Sequence, residues 1–271
     1  MDLQLDGKKA LVTGSSKGIG EAIAKALARE KATVIIHGRN QAEAAKVASA
    51  IIAQGGRAHT VIGDLTRDGD VEQLLVMAEN LAGPIDILVN NAGGSGGSTA
   101  GWANALPDDW SAAYDRNVLA ALRVTKHLLP KMRQAKWGRV INISSVAATM
   151  PPPSAPDYSA SKAAMNAMTV SMAKAVASDG VTVNAVSPGT IRSSTFEERF
   201  RDVAAAQGLA ARDAPWSDIE RVTLPLFAQV PAGRTGRLDE IADAVAFLAS
   251  PLAGYITGIN LRVDGGLFPG L

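Results

Sequence analysis

Tyr158 and Lys162 stand four residues apart in Tyr158-Ser159-Ala160-Ser161-Lys162, thirteen residues after Ser145. On a helix that spacing puts both side chains on one face, so a phenol and an ammonium group share one space. A phenol can give or take a proton, and a nearby cation favours its ionised form. Far upstream, Thr13-Gly14-Ser15-Ser16-Lys17-Gly18-Ile19-Gly20 is a glycine-rich turn between an apolar run, Ala10-Leu11-Val12, and a helical one, Glu21-Ala22-Ile23-Ala24. Gly14 permits a tight turn there. Gly18 and Gly20 are expected to let phosphate oxygens approach the start of the helix, whose N–H groups and dipole favour an anion. A dinucleotide held beside a proton-donating phenol is most of what carbonyl reduction needs.

The choice of dinucleotide follows from the next strand end. NAD sites place an acid about 20 residues beyond the glycines, for the ribose 2′-hydroxyl. In Ile36-His37-Gly38-Arg39-Asn40 no acid occurs before Glu43. Arg39 offers a planar charged fork suited to phosphate, and Lys17 adds a charge inside the turn. The plainer reading is two solvated surface cations. The expectation is NADP(H) in preference, with NAD(H) as the alternative.

Short β-branched runs that alternate with Ala-rich helical stretches supply the scaffold for these groups. Strands are expected at Ala10–Val12, Thr33–His37, His59–Ile62, Ile85–Val89, Val140–Ile143, Val181–Val186 and Asn260–Val263. Helical patterns cover 18–30, 41–54, 69–82, 109–134, 157–178 and 238–249. Such alternation implies an α/β fold: a Rossmann-like, doubly wound, parallel seven-stranded sheet with helices on both faces. No low-complexity linker or repeat divides the chain, so residues 1–271 are expected to form one domain. Two segments break the rhythm. One is Gly93-Gly94-Ser95-Gly96-Gly97-Ser98; the other is an excursion over 192–230, whose apolar periodicity (Phe196, Phe200, Val203, then Ile219, Val222, Leu226) reads as a lid of two short helices.

Composition excludes several classes. With 27 Lys and Arg against 26 Asp and Glu, nothing drives the chain toward nucleic acid or an anionic membrane. It has no cysteine, and His37, His59 and His127 show no ligand spacing, so no metal site is expected. No apolar run has the length of a membrane helix, and Met1–Asp6 shows no secretory pattern; the expected location is the cytoplasm.

The residues together resemble the short-chain dehydrogenase/reductase family in its single-domain branch. The match includes the Thr13–Gly20 turn, Asp64-Leu65, Asn90-Asn91-Ala92-Gly93, Asn117, Ser145, Tyr158 with Lys162, Pro188-Gly189 and Val263-Asp264-Gly265-Gly266. Within the family the chain looks most like the 3-oxoacyl-carrier-protein reductase-type members. That resemblance implies roles residue by residue. Gly14, Ser16, Lys17, Gly18, Ile19 and Gly20 would hold the pyrophosphate side, and Asp64 and Leu65 would flank the adenine. Asn91, Ala92 and Gly93 would line the ribose and nicotinamide side; Pro188, Gly189, Thr190 and Ile191 would approach the carboxamide. Asn117, Ser145, Tyr158 and Lys162 would form the catalytic tetrad.

The tetrad's expected chemistry is proton transfer by Tyr158, its phenol lowered by Lys162 and an oxidised nicotinamide. Ser145 would bond the substrate oxygen, Lys162 would also hold the nicotinamide ribose, and Asn117 would position a water. Trp102, Met150, Pro151-Pro152-Pro153, Phe196 and Trp216 are candidates to line a pocket for a mostly apolar ketone or secondary alcohol, although Phe196 and Trp216 could equally pack the lid. Lys131, Arg133, Lys136 and Arg139 form a basic stretch that could dock an acidic acyl carrier protein, or could simply be solvated. By the same resemblance the helices near 109–134 and 157–178 would build a homotetramer, with the apolar tail 266–271 against a neighbour. Competing readings are an NADP(H)-sensing regulator without chemistry, and a dehydrogenase acting on a sugar or cyclic alcohol. The regulator should lack Tyr158 or Lys162, and both are present.

Overall fold

Successive side chains of a strand point to opposite faces of a sheet, and here both faces are apolar. Leu11, Ile35, Leu88 and Val140 pack into one core, while Ala10, Val12, Val34, Ile36, Ile87, Val89 and Ile141 pack into the other. A sheet with two greasy faces needs helices on both. The computed structural model, which describes residues 1–95 and 101–270, has that arrangement.

Its seven parallel strands are β1 (Lys9–Val12), β2 (Thr33–Gly38), β3 (Arg57–Ile62), β4 (Ile87–Asn90), β5 (Gly138–Ile143), β6 (Val181–Pro188) and β7 (Asn260–Val263), in the order β3-β2-β1-β4-β5-β6-β7. Helices α1 (Gly18–Arg29) and α2 (Gln41–Ala53) cover one face, with Leu238–Ala249 beside them. Helix α3 (Asp68–Ala82) covers the other, with Ala120–Gln134 and Pro156–Val176. The chain order reverses direction between β1 and β4, and ligands of doubly wound sheets bind outside the strand ends at that point.

All the expected strands and helices are present, with one correction. The helix expected over 109–134 is not continuous. After a short α4 (Gly101–Asn104), it consists of α5 (Pro107–Tyr114), a π-helical turn (Asp115–Leu119) and α6 (Ala120–Gln134). The cause is local: Asn117 Nδ2 donates to the Ala113 carbonyl at 2.9 Å, so a side chain takes a place on the acceptor one turn back and the backbone widens. Beyond it lie α7 (Pro156–Val176), α8 (Ser194–Ala206), α9 (Trp216–Phe227) and α10 (Leu238–Ala249). The two helices expected over 192–230 are therefore α8 and α9. Of the glycine segment 93–98, residues 96–98 lie outside the described residues, as does Leu271 of the tail.

Gly20 shows how tightly β1 and α1 cross. A Cβ there would collide with the Gly14 carbonyl oxygen and lie 2.5 Å from Asn91 Nδ2. The expected close approach to phosphate is thus, for this glycine, a close approach of helix to strand end. Overpacking of this kind costs about 1–3 kcal/mol. A thermal scan of Gly20→Ala is expected to show a melting temperature lower by about 3–10 °C.

Candidate active site

The residues singled out in the sequence converge on one edge of the sheet, at the C-terminal ends of β1 to β6. In the first turn Gly14 adopts φ +63° and lies against Ala92, and Gly18 adopts φ +60° with open space before its Cα. Helix α1 follows with Lys17 at its N-cap in extended conformation and no side chain capping its first N–H groups. Uncapped donors at a helix start suit an anion. Ser16 packs beside Gly38, Ile19 is half-buried, and Lys17 is exposed.

Asn91 holds this turn in place. Its Nδ2 donates to the carbonyls of Thr13 (2.9 Å) and Gly14 (3.0 Å), while Thr13 Oγ1 accepts from the N–H groups of Asn91 and Ala92. The side-chain amide is therefore committed to joining β1 to β4. At the next strand ends, exposed Arg39 acts electrostatically on Asp64. The Asp64 carboxyl is held below its ordinary range, first by the Thr66 N–H and then by the Thr66 hydroxyl, Arg39 and Arg67, with burial opposing. Leu65 is buried beside it. On the far side, Gly189 N–H donates to Val263 O, and a Cβ at Gly189 would lie 2.7 Å from Asp264 Cα. Pro188 ends β6, Ile191 bridges to Gly236, and the Thr190 carbonyl accepts from Gly236 N–H.

Ser145, Tyr158, Lys162 and Asn117 meet between these walls. Ser145 follows β5, and its Oγ accepts from Ala147 N–H at 3.1 Å, capping a short 3-10 turn. Its side chain is also near enough to Tyr158 to act on the phenol. Lys162 is buried, with Nζ 2.7 Å from the Ile143 carbonyl and 5.7 Å from the Tyr158 ring centroid. Gly93 lies between Lys162 and Asn117: a Cβ there would collide with Asn117 Oδ1 and sit 3.6 Å from Lys162 Nζ. Asn117 is fully buried, and its amide is engaged by the Gly94 N–H and the carbonyls of Gly94 and Ala113. Both donors of the amide are thus spent on fastening the π turn to the loop after β4 and to its own helix, and Oδ1 keeps one lone pair beyond the Gly94 bond.

The electrostatics also differ from expectation. Burial pushes the Tyr158 phenol above its ordinary value, with the Ser145 hydrogen bond opposing, and burial pulls Lys162 down to about 8. Lys162 directs its Nζ to a backbone carbonyl, so desolvation, not its charge, governs the phenol. The basic stretch is likewise corrected. Lys131 pairs with Glu79, Arg133 and Lys136 both pair with Asp179, and Arg139 is buried against the carbonyls of Ser250 and Gly138. Two carboxylates thus serve the three exposed cations, and the fourth is buried, so the positive patch is reduced.

The profile of the short chain dehydrogenase family matches residues 8–204. The chain belongs to the short chain dehydrogenase family. Among its relatives are the 3-oxoacyl-(acyl-carrier-protein) reductases of Vibrio cholerae and Aquifex aeolicus. The first is 38% identical over 266 residues, covering 98% of this chain and 99% of the relative. The second is 37% identical over 269 residues, covering 99% and 100%. A solved structure of L-sorbose reductase from Gluconobacter frateurii, complexed with NADPH and L-sorbose, superposes with a TM-score of 0.91 at 30% identity, covering both chains in full. A 7α-hydroxysteroid dehydrogenase complexed with NADH and 7-oxo glycochenodeoxycholic acid gives 0.84 at 31% identity, covering 100% of this chain and 98% of the other. As a short chain dehydrogenase the protein is an oxidoreductase.

Three parts of this short chain dehydrogenase site escape a reading of its sequence: the Thr13–Asn91 clamp, the π turn around Asn117, and His37. Each depends on a partner 20 or more residues away or on a backbone irregularity. Aromatic candidates also shift in meaning: Phe196 lies against Phe200 and Phe227, and Trp216 stacks on Phe200, so both serve the α8–α9 core. Among the described residues no helix is long and apolar enough to cross a membrane.

Burial of Lys162 has a measurable consequence. Its pKa falls from 10.5 to about 8, so between those values the folded protein has shed a proton that the unfolded chain still binds. Stability must rise with pH across that window. In urea unfolding, the stability of the wild type relative to Lys162→Met is expected to climb from about pH 8 toward 10.5; a flat difference would mean an unshifted lysine.

Proposed function

We propose that the protein is an NADP(H)-dependent reductase of ketones, or dehydrogenase of secondary alcohols, in which Tyr158 transfers the proton. The observation that carries this is the meeting of Ser145, Tyr158 and a buried Lys162 beside Gly93, across from an uncapped helix start. The residues fit a dinucleotide: Gly18 leaves open space at the turn, and Gly93 has room for no side chain toward Asn117. When bound, the nicotinamide supplies or accepts the hydride.

The chain's own groups do the rest. Ser145 donates a hydrogen bond to the substrate oxygen as negative charge develops there, and Tyr158 gives that oxygen its proton. A phenol pushed up by burial is protonated at neutral pH, which suits the reductive direction. Lys162, directed at the nicotinamide ribose side by its place against Gly93, supports the Tyr158 position. Arg39 takes the 2′-phosphate, and Asp64 and Leu65 flank the adenine. The NADPH complex of the sorbose reductase favours the same cofactor, and the NADH complex of the hydroxysteroid dehydrogenase is the alternative that Arg39 argues against.

For the substrate, similarity to the 3-oxoacyl reductases supports a 3-oxoacyl-type or other mostly apolar carbonyl. Ion pairs to Glu79 and Asp179 and the burial of Arg139 weaken the electrostatic reason for a carrier-protein partner, so a free ketone is the substrate form we favour. Helices α8 and α9 serve as its lid. Exposed Leu122 on α6 and Val170 on α7 support assembly through those helices.

Tyr158→Phe keeps the ring and removes the proton donor. Turnover, followed at the reduced-nicotinamide absorbance, is expected to fall by about 10²-fold or more with cofactor binding retained; near-normal turnover overturns the tyrosine role. Arg39→Ala is expected to weaken NADPH binding about tenfold or more while sparing NADH, as titration of both cofactors would show. Light scattering at micromolar concentration is expected to read a tetramer.

A further inference from the structure

His37 is the next-to-last residue of β2 and is 3% exposed. Its ring spans two loops that flank it. Nδ1 lies 3.0 Å from the Gly14 N–H it accepts, and Nε2 lies 3.2 Å from the Gly63 carbonyl. A carbonyl can only accept, so Nε2 carries the proton and Nδ1 presents its lone pair; both bonds require one neutral tautomer. The backbone of the same residue reinforces the join. Its N–H donates to Ser15 Oγ at 3.0 Å, its carbonyl accepts from Ser15 N–H at 2.8 Å, and Ser15 Oγ donates onward to the Val12 carbonyl at 2.6 Å.

Resting on the cofactor site proposed above, we propose that His37 is a positioning residue that sets the glycine turn and the adenine-lining segment at a fixed separation, and so tunes cofactor affinity. Gly14 opens the turn that runs to Gly18 and α1; Gly63 immediately precedes Asp64 and Leu65. One imidazole is hydrogen-bonded to the first residue of each wall. Ser145 follows β5, and Tyr158 and Lys162 lie on α7, on the other side of β1 and β4, so loss of the ring should reach binding before it reaches proton transfer.

The charge state agrees. Burial pulls the His37 pKa down to about 4; the Gly63 carbonyl and Asp64 act against that, and Arg39 adds to it. Arg39 and Asp64 are the charged groups that act on it, and near neutrality the ring is uncharged. A protonated Nδ1 would set one donor against another, the Gly14 N–H.

The test compares the wild type with His37→Leu and His37→Asn, reading the NADPH dissociation constant together with KM and kcat. His37→Leu strips both bonds and is expected to weaken NADPH binding about tenfold or more, the loss falling on KM for NADPH more than on kcat. His37→Asn places Oδ1 near the position of Nδ1 and is expected to regain part of that affinity. Unchanged affinity in His37→Leu, or a lower melting temperature and kcat with KM for NADPH intact, overturns the proposal. Nitrogen NMR of histidine-labelled wild type is independent of any folding defect in the variants: at pH 7 His37 should show protonated Nε2 and bare Nδ1, and the opposite tautomer or an imidazolium overturns it. A wild type that binds no NADP(H) would sink the functional reading and this proposal together; tight wild-type binding that His37→Leu leaves alone sinks only this one.

Discussion

Asn90 and Asn142 stand opposite one another on β4 and β5 and share a buried side-chain hydrogen bond of 2.9 Å, on which the arrangement of the site depends. Asn90 Nδ2 also donates to Thr125 Oγ1 on α6, and Asn142 Nδ2 donates to Thr169 Oγ1 on α7. The two threonines donate onward to the Ala121 and Met165 carbonyls of their own helices, while Asn90 Oδ1 is buried without a partner. A buried amide without partners costs far more than a paired one contributes, so rotating either helix about its axis would be expensive. Thr169 lies seven residues beyond Lys162 and eleven beyond Tyr158, spacings that share a helix face. The ladder therefore orients the face of α7 that carries the phenol and the amine.

What that face delivers is an unusual pair of protonation states. Desolvation acts in opposite directions on the two groups, since it disfavours whichever form is charged. It raises the phenol and lowers the lysine to about 8, so the lysine becomes the stronger acid and the two stand further apart than in water. Neither is relieved by the other: Lys162 is bonded to the Ile143 carbonyl, and at Tyr158 it is Ser145 that opposes the burial. The folded chain alone thus holds a proton ready on the phenol, and an ammonium whose burial is only partly compensated by one carbonyl. A pocket that stores cost in this way must be held by strong packing elsewhere, and the two apolar cores on either side of the sheet provide it.

The sequence was most legible where function depends on neighbours in the chain. The turn from Gly14 to Gly20 and the Tyr158–Lys162 pair are local patterns, and strand alternation places them at the same sheet edge without further information. Arg39 was visible for the same reason, as the residue that stands where an acid would serve NAD. Reading failed where the deciding partner is remote. Glu79, 52 residues before Lys131, takes one of the cations that look like a patch when only residues 131–139 are considered. Asn117 looks like a free amide in a regular helix until Gly94, 23 residues earlier, is seen to occupy it. His37 carries no motif at all; its role exists only because β2 runs between the ends of β1 and β3.

The helical pair α8–α9 carries the same lesson toward specificity. Its aromatic residues look like pocket walls in sequence, yet Phe200 is wholly buried and stacks on Phe227 at 4.8 Å, with Trp216 and Phe196 around it. Residues that fill a core of their own make the pair a unit able to move as a body, with displacement confined to its roots. One root is tied where Gly236 N–H meets the Thr190 carbonyl and Arg192 N–H meets the Gly236 carbonyl; the other is tied where Glu220 accepts from Thr235. Thr190 and Ile191 follow directly on β6, so a shift of the pair is mechanically coupled to that strand end. The side chains left exposed, such as Trp102 and Met150, stand outside that aromatic core, and the length of the 192–230 segment is accounted for by the core that it builds.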